Sequence, residues 1–545
     1  MLSFRTRADS SPSSSARTGR AVFARVVVAS ALIPAMLVGA GAPAVAATNT
    51  LTITTLDRAG KKVTVTTTVV NLATNERRSV KSNQAKKLPK GTYAVLASIK
   101  NGSAVTLGVR TVKVAGASKT TVDARKGKKV TVGLSPAPVG EWYYAQTTAQ
   151  ICTRSASASY SVQASDFGDG SVYVIPNSST KYAFAAMRTW TDYSGYPGST
   201  HYAVTYTTTG VPSKPSRTAK QSSLATVNVA SRRGPSVAAY SSLAATPIDR
   251  SCGNGMLNSL SSTDQPYRTK VMVSAGKWDF GVHSSSDTKD GSTRVVGHYF
   301  VPRTVAAGKS YNLNFFRSAW GPSTRLPIIL NGQMSYSLNG MFADPGFPTR
   351  SVEGGDKATA TLTFGGKTVK TVKDKGWEPD EKYLSYKVTK PGWYKLTNNA
   401  SRYYPEIDFP SGMLSTKTSV TYRFKAKPNT SVTAPVYAVT MLPTGLNLNN
   451  QAKPGSTTNV QLKLSRPRME PDAKLGKNPK VKTVTAKASF DGGKTWRSVK
   501  VKKVDGTWTA AVGNPASGAV SLRARVTDTT GGYTEVTIIR AYAIG

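Results

Sequence analysis

Three histidines, two cysteines and a thin scatter of carboxylates are the residues in this chain that could do chemistry. Serine acyl transfer needs a base within hydrogen-bond reach of its nucleophile. The histidines stand in Thr200-His201-Tyr202, Val282-His283-Ser284 and Gly297-His298-Tyr299, and none belongs to a His-Gly motif. No Asp-Ser/Thr-Gly, Gly-Thr-Ser or Gly-x-Ser-x-Gly stretch accompanies them. Each sits in strand or turn text, so a structural role is expected for all three. Neither Cys-x-x-Cys nor His-Glu-x-x-His occurs, and the spacing gives no zinc site and no other metal site. Asp166-Phe167-Gly168-Asp169-Gly170 could offer oxygens to calcium, but it lacks the ligand series of an EF-hand and its terminal glutamate. It reads as a polar hairpin turn, as do Asp287 and Asp290.

Glycoside hydrolysis imposes no sequence spacing on its two carboxylates. A polysaccharide-acting hydrolase therefore stays open as a rival reading. Its acid and base would come from Glu378, Asp380 and Glu381 after Trp377, or from Glu406 and Asp408 after Tyr403-Tyr404. The same residues suit ordinary sandwich loops, the reading adopted here. Leu442-Pro443-Thr444-Gly445 lacks one residue of a sortase signal and its apolar tail. Gly365-Gly366-Lys367-Thr368 lacks the first glycine and the helix of a phosphate loop. No cofactor is expected.

The elements that must position these residues are strands. The 545 residues include 46 Gly and 30 Pro, with abundant Thr, Val, Ser and Tyr. Stretches such as Leu51-Thr52-Ile53-Thr54 and Val63-Thr64-Val65-Thr66 alternate in the manner of half-buried strands. The expected fold is all-β, a tandem series of β-sandwich modules of immunoglobulin-like or jelly-roll-like type. Ahead of them, Arg5, Arg7, Arg17, Arg20 and Arg25, the apolar run Val26–Val38 and Ala44-Val45-Ala46 form an export signal over 1–46. The apolar run is too short, and too broken by Pro34, to span a bilayer, so no integral membrane segment is expected after cleavage. Modules are expected over 47–135, 136–301, 302–455 and 456–545. The first boundary falls at the linker Ser135–Gly140, and the last in the Asn- and Gly-rich stretch Asn447–Ser456. In an exported chain Cys152 and Cys252 pair as a disulfide, and that bond places 152–252 in one unit.

The whole chain carries 72 Lys and Arg against 28 Asp and Glu, a formal charge of +44. Such a field favours polyanions. The charge is dispersed in pairs such as Lys61-Lys62, Lys128-Lys129 and Arg232-Arg233 rather than gathered in an aromatic-lined stripe, so no specific nucleic-acid partner is expected. Lys500 and Lys502 alternate with Val499 and Val501 and read as guards of an exposed strand edge. Ser489-Phe490-Asp491-Gly492-Gly493-Lys494-Thr495-Trp496 fits the Asp-box pattern. In it Ser489 and Asp491 bond the turn, Gly493 takes a positive φ and Trp496 packs beneath.

Several stretches resemble one known family. Leu88-Pro89-Lys90-Gly91-Thr92-Tyr93 is similar to the turn of transthyretin-like or carboxypeptidase-regulatory-like modules. Asp491–Trp496, Asp505-Gly506-Thr507-Trp508, Val520–Asp528 and Ile538–Tyr542 resemble the end of large secreted subtilisin-family serine proteases of actinobacteria. Ala307–Phe316 and Gly392–Leu396 resemble upstream parts of the same noncatalytic tails. The resemblance covers about 150 to 545 and implies an accessory region without its protease domain. The resulting expectation is a noncatalytic binding protein, secreted or loosely wall-associated in an actinobacterial envelope. Its expected partner is an anionic wall polymer or another secreted protein.

Overall fold

Thr50–Leu56 shows the principle on which the fold is built: Leu51, Ile53 and Thr55 are buried while Thr50, Thr52, Thr54 and Leu56 stay half-exposed. In the computed structural model the described residues are 49–545, except for short segments at 139–142, 155–158, 167–169, 193–198, 235–239, 249–251, 253–258, 349–355, 378–380 and 410–411. The expected export signal lies outside them. Among the described residues every long element is a strand, and the helical turns are the three-residue Ala124–Lys126 and Gln221–Ser223. The all-β expectation holds. No helix among the described residues is long and apolar enough to cross a membrane.

The first sandwich sets Ala85–Lys87, Thr50–Leu56 and Ala117–Asp123 in one sheet and Arg77–Lys81, Thr66–Asn71, Gly91–Asn101 and Ala104–Val114 in another. Leu51, Ile53, Val69, Tyr93, Val95 and Val114 belong to one buried cluster. The Tyr93 hydroxyl donates to the Pro89 carbonyl at 2.9 Å, tying the strand back over its turn. Tyr394 does the same to Lys390 at 2.9 Å after Pro391-Gly392. The hairpin joining Lys357–Phe364 to Lys367–Asp374 turns through Gly365 and Gly366 at φ 57° and 81°, a region that favours glycine.

The other two large sheets are wider. One runs Ser161–Ser165, Tyr143–Thr153, Tyr182–Asp192, Thr200–Thr209, Tyr267–Val273, Ala225–Ser231, Ser310–Phe315. The other has twelve strands, with Tyr533–Ile544 in its interior between Lys417–Ala426 and Gly518–Asp528.

Strand pairing crosses each of the positions read as module boundaries. Ser171–Val174 lies parallel to Ala104–Leu107 of the first sandwich, and Ser216–Lys220 pairs with Thr131–Ser135. Ser310–Phe315 pairs with Ala225–Ser231 across 301/302, while Lys417–Arg423 pairs with Tyr533–Ile539 across 455/456. One buried cluster accordingly extends from Cys152 to Ile544.

Candidate anion-binding face

His201 is 1% exposed, and its Nδ1 accepts the Asp192 amide at 3.1 Å. Burial pulls its imidazole down to about 4, with Asp192 opposing. A depressed histidine contributes stability that is fully present above its ordinary value and lost as pH falls through the folded one. An NMR titration is therefore expected to keep the His201 ring neutral down to about pH 5. A midpoint near the usual histidine value would contradict this burial. His283 and His298 face each other across paired strands with ring centroids 5.8 Å apart, and Phe300 packs against both. Burial, then the neighbouring His298, lowers His283.

Asp166 accepts the Thr147 amide, whereas Phe167, Gly168 and Asp169 lie outside the described residues. Asp290 accepts the Thr288 hydroxyl and the Ser292 amide, which hold it down at about 2. Among the described residues no group of three metal-ligating side chains comes together.

The sugar-site candidates divide. Trp377 meets Tyr404 at 4.1 Å and donates to the Tyr403 carbonyl. The described carboxylates, however, answer to different cations: Glu381 to Arg325 at 2.6 Å, Glu406 to Arg294 at 3.9 Å and Asp408 to Lys289 at 3.0 Å. Glu378 and Asp380 lie outside the described residues. Leu442 and Pro443 end a strand at the turn through Gly445.

The Cys152 and Cys252 sulfurs are bonded, across a sequence separation of 100. In the Asp-box hairpin Asp491 accepts the Thr495 amide at 2.9 Å and the Ser489 hydroxyl at 2.7 Å. Gly493 donates to Ser489 Oγ at 2.8 Å, and Trp496 Nε1 donates to the Gly493 carbonyl. The hydroxyl and amide donors hold the Asp491 carboxyl well below its usual range. Gly493 takes φ 91°, and a Cβ there would lie 2.6 Å from the Ile539 side chain. Lys500 and Lys502 are exposed, on a strand that pairs with Val481–Ser489 through Arg497–Val499 and with Thr507–Gly513 through Lys500–Val504, so at both lysines the ladder runs to one side.

A coherent basic face emerges instead on the outer side of the seven-stranded sheet. Along Ala225–Ser231, Val227 and Val229 enter the core, which turns Thr226, Asn228 and Ala230 outward. The register sets Lys270, Asn228 and Asn312 in one row and Arg268, Ala230 and Asn314 in the next. Asn228 Nδ2 donates to Asn312 Oδ1 at 3.1 Å. Rows two residues apart repeat at about 7 Å. Ala230, small between Arg268 and Asn314, leaves a groove lined by cations and amides. The three strands are far apart in sequence, so only the alternation in Arg268-Thr269-Lys270 and in Asn312-Leu313-Asn314 could have signalled this face.

A second groove crosses the twelve-stranded sheet. Its rows are Lys373, Thr359, Asn399, Ser419, Thr537 and then Lys357, Ser401, Lys417, Ile539. Lys357 Nζ stands 3.8 Å from the centre of the Tyr403 ring.

No family model and no curated protein matches the chain. Among solved structures it is similar to the FN1–FN3 domains of chicken CNTN1, at 10% identity over 65% of this chain and 94% of that one, with a TM-score of 0.13. It is also similar to Escherichia coli alpha-2-macroglobulin activated by porcine elastase, at 9% identity over 91% of this chain and 53% of that one, with a TM-score of 0.14. The Bacillus anthracis TIE protein gives 10% identity, 72% and 74% coverage and a TM-score of 0.12. At these scores the fold rests on the sheet topology described above.

Proposed function

We propose that this protein is an exported, noncatalytic binding protein that holds an extended anionic polymer, of the kind found in a bacterial wall, on the outer face of its seven-stranded sheet. The observation that carries the reading is the row-by-row register of Lys270 with Asn228 and Asn312, and of Arg268 with Ala230 and Asn314. Cations repeating at about 7 Å suit a chain whose charges repeat at a similar spacing. Amide side chains between them can bond the uncharged parts of such a chain.

Export draws support from the n-region, apolar run and Ala-Val-Ala of residues 1–46, and from a disulfide of the kind that persists in oxidising compartments. An accessory role draws support from the resemblance to subtilisin-family tails. The hydrolase reading draws none from Glu381, Glu406 or Asp408, each held by a different cation.

The test is retention on immobilised poly(glycerol phosphate). Between about 0.05 and 0.5 M salt, retention is expected to fall by at least about tenfold. The double variant R268Q/K270Q is expected to lose about tenfold at low salt. Retention indifferent to both salt and these substitutions would sink the proposal.

A further inference from the structure

Beyond Asn314 the basic groove runs into a pocket walled by Arg232, Asn314, Arg317, Ser318, Asn450 and the turn Leu442–Leu446. Its donors are placed but not used. Arg232 Nη1 is spent on the Leu446 and Asn447 carbonyls. Among the described residues, however, Arg232 Nε, Arg317 Nε and Ser318 Oγ are buried with no hydrogen-bond partner, and Ser318 is only 1% exposed. Buried donors of this kind are costly unless something accepts from them.

The nearest carboxylate does not fill that role. Asp344 Oδ1 stands 3.7 Å from Arg317 Nε, beyond hydrogen-bond reach. Asp344 instead accepts the backbone amides of Arg317 at 3.0 Å and Gly346 at 2.6 Å. Burial pushes its carboxyl up to about 6. Arg232 is depressed by burial and then by Arg317 and Arg268, and Lys463 by burial and Arg317. Arg232 and Arg317 thus share the pocket wall with Asp344 as the neighbouring carboxylate, whose oxygens are taken up by backbone amides.

The local backbone is arranged to keep Arg317 and Ser318 in the pocket wall. Phe316 is fully buried at φ 55°, a backbone region that strains a bulky residue. Asn450 holds it there, donating from Nδ2 to the Phe316 and Arg233 carbonyls at 2.9 Å and accepting the Ser318 amide at 3.1 Å. The guanidinium of Arg317 lies against Gly346, where a Cβ would come within 1.3 Å of Nη2.

We infer that this pocket binds a tetrahedral oxyanion of the phosphate class, which accepts from Arg232 Nε, Arg317 Nε and Ser318 Oγ. The excess of cations calls for more charge than one carboxylate carries, and guanidinium groups match phosphate oxygens well. Because Asn314 lines both pocket and groove, a phosphate on the polymer of the proposed function would seat here, and that part of the inference rests on that proposal.

The full chain would be titrated with inorganic phosphate at low ionic strength and neutral pH, following the arginine Nε–H signals by NMR. Saturable one-to-one binding is expected, weakened about tenfold in R317Q and again about tenfold in S318A, and unchanged in K357Q. Absence of saturable binding, or equal affinity in wild type and R317Q, overturns the site. Should R317Q melt early by circular dichroism, S318A decides the matter, since it removes one hydroxyl.

A parallel arm uses immobilised poly(glycerol phosphate). Phosphate binding that depends on Arg317, without polymer retention, keeps the pocket as a site for free phosphate and defeats the polymer reading. Polymer retention without phosphate binding defeats the pocket alone.

Discussion

The double variant C152A/C252A is expected to lose about 4 to 5 kcal/mol of stability, the value for releasing a closed loop of about a hundred residues in the chain-entropy account. The cysteines are 0% and 4% exposed and belong to the cluster that continues into the twelve-stranded sheet. The loss should therefore reach beyond 152–252. Denaturant midpoints of the wild type, oxidised and reduced, and of the double variant test this. The reduced wild type should approach the variant, and a midpoint unmoved by reduction would show that the bond does not restrain the unfolded chain.

Asn450→Ala should cost about 3 kcal/mol. Three backbone groups, the buried Phe316 carbonyl and Ser318 amide and the part-buried Arg233 carbonyl, would lose their partner together. Alanine must also hold φ 57°, which accounts for about 1 kcal/mol of that loss. Asn450→Gly separates the two contributions, because glycine accepts the backbone angle and still loses the bonds. It is expected to fall about 1 kcal/mol short of the alanine variant. Equal midpoints for wild type and N450A would remove Asn450 from its role under Phe316.

What was legible in the sequence was local. Alternation in Leu51-Thr52-Ile53-Thr54 marks a strand because burial acts on every second residue, and the turns after Pro89 and Pro391 carry their tyrosine in the adjoining text. The Gly365-Gly366 hairpin is short enough to be read from its own residues.

Long-range register was hidden. Nothing near Ser171–Val174 announces that it joins the first sandwich, and nothing near Asn228 announces Asn312 or Lys270. Asn447–Ser456 reads from composition as the place of a module boundary, and what its asparagines do there was not legible. Asn447 caps its own turn, bonding the Asn449 and Gln451 amides, while Asn450 is 1% exposed and bridges segments more than a hundred residues away. Asparagine serves both purposes because its amide can replace a backbone partner and because it tolerates positive φ.

The interior position of Tyr533–Ile544 has a mechanical consequence. Seven residue pairs join it to Lys417–Arg423, and a comparable ladder joins it to Gly518–Asp528 on its other flank. A pull directed along these strands loads many backbone bonds at once, in shear, instead of opening them one by one. Tension along these strands would meet a seam that resists tearing.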